Sequence, residues 1–177
     1  MLVAVVLTAI AAVWDHKTGE IPNWLTMGAV GGGIVGHTAY GWHVAGFQAG
    51  LLEGATSVAG VLFCSLAPAF MYWKGGMGGG DLKLYAGLGA LCHPMLGIEM
   101  QMYSLVVAAI VAPARLAYEG RLFRVLGGSF SVLLNPFRAP EKRRAIPTEA
   151  TAWFRMGPAI FGGALLTLLV HAYAAPH

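Results

Sequence analysis

Two aspartates, Asp15 and Asp81, stand in this chain where a carboxylate is costly. Asp15 closes the apolar run 1–14, and Asp81 follows the glycine-dense turn Gly75-Gly76-Met77-Gly78-Gly79-Gly80 between two long apolar stretches. An aspartate near the centre of a membrane helix costs roughly 2.5–3.5 kcal/mol, so an ionisable group at that depth marks a candidate functional site. Two carboxyl groups brought together in a medium of low dielectric do not both ionise readily; one keeps its proton while the other serves as a base. The ionised member can activate a water against a peptide carbonyl, and the protonated member can donate to the carbonyl oxygen as charge develops there. Such chemistry needs no metal or cofactor. Gly78, Gly79 and Gly80, without side chains, would let a substrate backbone approach the acid. The plainer alternative is that Asp81 caps the helix beginning at Leu82 while Asp15 merely ends the first one.

Both acids depend on elements that composition defines. Of 177 residues, 57% are hydrophobic and 11% charged, and the mean hydropathy is +0.66, which sets the chain apart from ordinary soluble domains. Residues 21–52, 54–73 and 156–177 contain no Asp, Glu, Lys or Arg, and each window holds the ~20 residues of a spanning helix. Shorter uncharged windows predict further helices. The expected fold is all-α, a polytopic membrane helix bundle in one domain over 1–177, with about six segments at 1–15, 23–41, 47–73, 82–98, 100–118 and 153–175. A first segment of fourteen apolar residues rises only about 21 Å, so Asp15 would lie slightly inside a 30 Å hydrocarbon layer. It lacks the basic n-region of a secretory signal.

All eleven Lys and Arg fall at or in the first, third and fifth connections; the second and fourth, around Gly41-Trp42-His43 and His93-Pro94-Met95, have none. Under the positive-inside rule the odd connections are cytoplasmic and both termini non-cytoplasmic, which puts Asp15 and Asp81 at one membrane face. The net charge of +3 then reports topology and contact with anionic lipid, with no nucleic-acid partner implied. Residues 118–152 mix apolar side chains with basic ones and suit a connection lying in the cytoplasmic interface. Gly28, Gly32 and Gly36, and again Gly46, Gly50 and Gly54, follow the small-xxx-small spacing that lets membrane helices pack closely.

Cys64 and Cys92 are the only cysteines, without CxxC spacing, and the histidines at 16, 37, 43, 93, 171 and 177 form no i, i+4 pair or HExxH motif. No metal site is therefore expected. Lys83 invites three readings: a lipid or substrate contact, a modulator of a nearby carboxylate, or a snorkelling topogenic lysine. Glu20 could face a basic substrate segment or simply sit in a solvated loop. Pro22 and Asn23 shape the start of the second helix, where proline suits the first turn.

These residues resemble a family. Gly76-Met77-Gly78-Gly79-Gly80-Asp81-Leu82-Lys83-Leu84 is similar to the GxGD block of type IV prepilin peptidases, Asp15-His16-Lys17-Thr18-Gly19-Glu20-Ile21-Pro22-Asn23 to their first aspartate block, and Met156-Gly157-Pro158-Ala159 to the GPA segment of their last helix. The resemblance implies that Asp15 and Asp81 are the catalytic pair of an aspartic endopeptidase without cofactor. Its site would face the cytoplasm from the bacterial inner membrane. The substrate partner would be a type IV prepilin or pilin-like precursor, cut after its short basic leader.

Longer, bifunctional members carry paired cysteines in an extra cytoplasmic region and also methylate the new N-terminus. This chain looks more like the short branch associated with Flp (Tad) pili, which implies cleavage without N-methylation. Thr18 and Gly19 replace a basic residue common in the first block, a difference that bears on substrate preference. Two alternatives stay open: a presenilin-like intramembrane protease, and a non-enzymatic membrane subunit or ion-coupled transporter whose acids bind a proton or ion. Homo-oligomerisation is likewise open.

Overall fold

The computed structural model describes residues 1–120, 122, 123, 126 and 155–174. These form five helices: α1 (Leu2–Thr18), α2 (Asn23–Ala45), α3 (Phe47–Trp73), α4 (Gly79–Tyr118) and α5 (Gly157–Ala174). The chain divides into two compact units, residues 1–107 with 155–177, and residues 108–154. Both aspartates belong to the first. In the second, Arg115 Nε pairs with Glu119 Oε1 at 3.0 Å, one turn apart on α4. Most of the expected interfacial connection 118–152, and the start of the last expected segment at 153, lie outside the described residues.

The first unit exposes long apolar side chains and buries small polar ones among an apolar centre. Leu2, Val6, Leu51, Leu62, Leu66 and Leu169 point outward, while Thr8, Thr26, Ser57, Ser104 and Thr167 are fully buried. Three of these hydroxyls donate to the carbonyl one turn back: Thr8 to Ala4 at 2.9 Å, Ser104 to Met100 at 2.6 Å and Thr167 to Gly163 at 3.0 Å. These three hydroxyls are thus satisfied within their own helices. Small polar residues inside and long apolar ones outside are what hydrocarbon surroundings select, because helices there associate by close packing rather than by escape from water. Among the described residues three helices, α3, α4 and α5, are long and apolar enough to cross a membrane.

Within this unit α1 packs on α5 and α2 on α3. The α2–α3 reversal takes a single residue, Gly46, at φ 84°, a backbone angle glycine adopts without penalty. Helix α4 doubles back on itself at His93, whose φ is 62° and ψ 169°. A Cβ added to Gly97 would lie 3.1 Å from Gly89 Cα, although eight residues of straight helix would separate them by about 12 Å. The turn falls within the expected His93-Pro94-Met95 connection, earlier than the segment boundary expected at 98–100. The cause is local: Pro94 offers no N–H to the ladder and disfavours helical angles at the residue before it. The buried centre comprises Tyr85, Leu84 and Leu88 from the first arm of α4, Met100 from the second, Ile160 and Ala164 from α5, and Ala4 and Ala11 from α1.

Only part of the glycine patterning packs as expected. Gly50 and Gly54 of α3 meet Thr38 and Trp42 of α2, but among the described residues a Cβ on Gly28, Gly32 or Gly36 would meet nothing within 4 Å. The buried stripe of α2 is instead Leu25, Thr26, Ala29 and Gly33, one step round the helix. The closest helix approach joins Gly60 of α3 and Gly89 of α4, where either Cβ would collide with the other's backbone.

Candidate active site

Asp15 lies in the last turn of α1, 5% exposed. Helix α1 buries a stripe at Ala4, Thr8, Ala11, Ala12 and Asp15, whose three- and four-residue steps set Asp15 on the inward face. The helix then ends at Gly19, left-handed at φ 75°, whose N–H donates to the Asp15 carbonyl. The side chain turns the other way. Gly157 N–H, at the first residue of α5, donates to Asp15 Oδ2 at 3.0 Å, so Asp15 satisfies one of the free donors at a helix start. Arg155, two residues earlier, donates through Nη1 to the His16 carbonyl near the end of α1, where a cation also suits the helix dipole.

Asp81 lies in the first turn of α4, 9% exposed. The glycines ahead of it have separable tasks. Gly75, at φ 74°, donates to the Tyr72 carbonyl at 2.9 Å and Gly76 to the Met71 carbonyl at 2.8 Å, a Schellman closure of α3. Gly78 starts α4: its carbonyl accepts from Leu82 N–H at 3.2 Å, and its own N–H faces the Asp81 carboxyl group. That contact is the acidic half of a capping box. Gly79 faces the Tyr72 ring, and a Cβ on Gly80 would stand 3.2 Å from Ile21 Cβ.

Capping and pairing coexist at Asp81. Its carboxyl group lies close enough to that of Asp15 for their charges to interact. Two buried carboxyl groups, 66 residues apart in sequence, thus lie within electrostatic reach of each other at one end of the bundle. Tyr85, one turn beyond Asp81 and fully buried, has a hydroxyl beside Ser104 but in hydrogen-bond geometry with no described atom.

The remaining expected residues surround the pair. Lys83 Nζ donates to Asn23 Oδ1 at 2.7 Å, tying α4 to the first residue of α2. Pro22 stands just before the first turn rather than in it, at φ −61° and ψ 135°, and its carbonyl accepts from Leu25 and Thr26. Glu20 is exposed, its N–H held by Thr18 Oγ1 at 3.3 Å. Trp14 and Trp24 flank this end edge to face, their centroids 6.0 Å apart.

Gly157 touches Asp15 and Tyr85 lies one turn from Asp81, while Arg155 and Ile21 stand against the adjoining His16 and Gly80; residue patterning alone did not single out any of the four as site residues. The Gly157-Pro158-Ala159 segment was the available signal for Gly157. Its glycine has a steric reason, since a Cβ there would stand 2.8 Å from Asp15 Oδ2. His37, Glu53 and His93, which histidine spacing does not relate, come together from three separate stretches of chain.

Apolar helices of spanning length around two buried aspartates mark a helical membrane protein. Residues 2–113, which include both aspartates, match the type IV leader peptidase family, and the chain belongs to that family of peptidases. No curated protein and no solved structure matches it.

Proposed function

We propose that this chain is an aspartic endopeptidase of the bacterial inner membrane that removes the short leader of type IV prepilin or pilin-like precursors. Asp15 and Asp81 are its catalytic pair. The observation that carries this reading is the electrostatic proximity of the two buried carboxyl groups within the stretch matched to the leader peptidase family. The ionised carboxylate takes a proton from a water as its oxygen adds to the scissile carbonyl, and the protonated partner donates to the carbonyl oxygen. When the tetrahedral intermediate collapses, the C–N bond breaks and a proton passes to the leaving amine. The mature N-terminus and the leader separate.

The proposed topology has six spans, the reversal of α4 at His93 dividing two of them, and both termini outside the cytoplasm. Charge supports it, since Lys17, Lys74, Lys83 and Arg155 all lie within a few residues of the aspartate end while the Gly46 and His93 turns lack Lys and Arg. Cleavage would accordingly occur at the cytoplasmic face, beside a basic leader. The narrower assignment, to the short branch that serves Flp (Tad) pili and does not methylate its product, rests on the chain having two cysteines, both buried and unpaired.

The test is co-expression with a candidate prepilin. Asp15→Asn and Asp81→Asn, each made separately, should leave the precursor at full length, and the wild type should yield an unmethylated N-terminus at the leader junction by mass spectrometry. Processing retained by either variant would remove that aspartate from the mechanism. A cut inside the hydrophobic helix would favour a presenilin-like protease instead.

A further inference from the structure

At the end of the bundle remote from the aspartates, twelve residues along α4 from Asp81 and so about 18 Å away, a second polar cluster has no part in peptide cleavage. His37 of α2, Glu53 of α3 and His93 at the turn of α4 converge there, their ligand atoms all within 4.8 Å of one another. We propose that these three side chains form a site for one divalent transition-metal ion of the zinc class, which fastens α2, α3 and the α4 reversal together.

The geometry is the first argument. His93 Nε2 lies 3.0 Å from His37 Nδ1 and 3.3 Å from Glu53 Oε2, and His37 Nδ1 lies 4.0 Å from Glu53 Oε2. Ligands held about 2.0–2.1 Å from a tetrahedral zinc ion stand about 3.3 Å from one another. The three separations bracket that edge, and the longest needs to close by less than about 1 Å, within reach of a side-chain adjustment. The fourth position goes to water, which the partial exposure of all three residues admits.

Protonation is the second argument. His37 Nε2 lies 3.0 Å from the Leu91 carbonyl, an acceptor only, so the proton of the neutral ring sits on Nε2 and the Nδ1 lone pair faces the cluster. An imidazole that donates one N–H to a backbone carbonyl and offers its other nitrogen is the usual arrangement of a metal-binding histidine. Without an ion, His93 Nε2–H donates to that lone pair. Binding replaces this hydrogen bond with two metal–nitrogen bonds, the His93 proton moving to Nδ1.

Backbone conformation supplies the third. Among the described residues His93 is the only non-glycine with positive φ, in a region that costs about 1–3 kcal/mol for a side-chain-bearing residue and that marks functional positions. Glycine would relieve the angle but carry no ligand. An imidazole there is explained if it has something to hold.

The experiment uses the full chain in detergent micelles, purified by a tag without histidine, stripped with a chelator, and titrated with Zn2+ and Co2+. One Zn2+ per chain should bind, raising the thermal unfolding midpoint, and Co2+ should give the visible absorption of a tetrahedral nitrogen–oxygen site. Glu53→Gln keeps the side-chain size, and His93→Gly relieves the backbone, so both should fold; each should weaken Zn2+ binding by about 10-fold or more. His171→Gln, which breaks the separate His171–Glu99 pair, should bind Zn2+ as the wild type does. Absence of Zn2+ binding, binding unchanged in both ligand variants, or binding lost in His171→Gln would overturn the proposal. The peptidase reading stands or falls separately on precursor cleavage.

Discussion

The Gly157 N–H and the Asp15 carboxylate meet at 3.0 Å across 142 residues of sequence. This contact joins the end of α1 to the start of α5, and it leaves no room for a side chain at 157. A Cβ would stand 2.8 Å from both Asp15 Cβ and Oδ2. Gly157→Ala should therefore displace the carboxylate, cutting precursor cleavage by about 10-fold or more while costing about 1–3 kcal/mol of stability through overpacking. Cleavage rate and thermal unfolding of the same preparation measure the two effects.

The carboxylate pair makes an opposite prediction for stability. Asp81 and Asp15 are both buried and their charges interact unfavourably, so Asp81→Asn removes repulsion and desolvation cost at similar size. The variant should unfold at the same temperature as the wild type or higher, although its cleavage falls to a residual rate seen only at long incubation. Groups that act as a unit are not additive, so Asp15→Asn with Asp81→Asn should be no slower than either single variant. A double variant measurably slower than both would argue against a shared mechanism.

Helix approach can be probed at two glycines with opposite surroundings. At Gly60 a Cβ collides with the Gly89 backbone, whereas at Gly32 it meets no described atom within 4 Å. Gly60→Ala should lower stability by about 2 kcal/mol or more by pushing α3 from α4. Gly32→Ala, in the middle of an exposed helix face, should be neutral or add up to about 1 kcal/mol from helix propensity. Denaturation of both variants in one detergent decides the comparison.

Tyr85 presents a fully buried hydroxyl in hydrogen-bond geometry with no described atom. Removing an unsatisfied polar group releases its desolvation penalty. Tyr85→Phe should thus be as stable as the wild type or more so by about 1 kcal/mol, read as an unchanged or higher unfolding midpoint.

Much of this was legible in residue order because a membrane imposes strong, one-dimensional constraints. Uncharged windows long enough to span are visible without tertiary information, and α3 runs over 47–73 as expected. Asp15 and Asp81 stood out because an acid among apolar residues is costly wherever the chain folds. Gly28, Gly32 and Gly36 show where such reasoning fails: a four-residue step identifies a face, but not whether another helix covers it. The His93 reversal was legible in part: it falls in the connection expected around His93-Pro94-Met95, though the expected segment bounds put the break at 98–100. Pro94 was present as a breaker, but a continuous apolar background hid which of several residues would absorb the turn.

The sequence by itself determined that helices form, which stretches are apolar enough to span a membrane, and that two acids interrupt them, since each follows from local composition and spacing. Tertiary structure decided which groups meet. It set Gly157 against Asp15, Asn23 against Lys83, and His37 and Glu53 against His93, contacts between residues 40 to 142 positions apart. The physical reason is that a helix fixes its own neighbours three and four residues away. Neighbours on other helices depend on the few places, such as Gly60 against Gly89, where two backbones can touch.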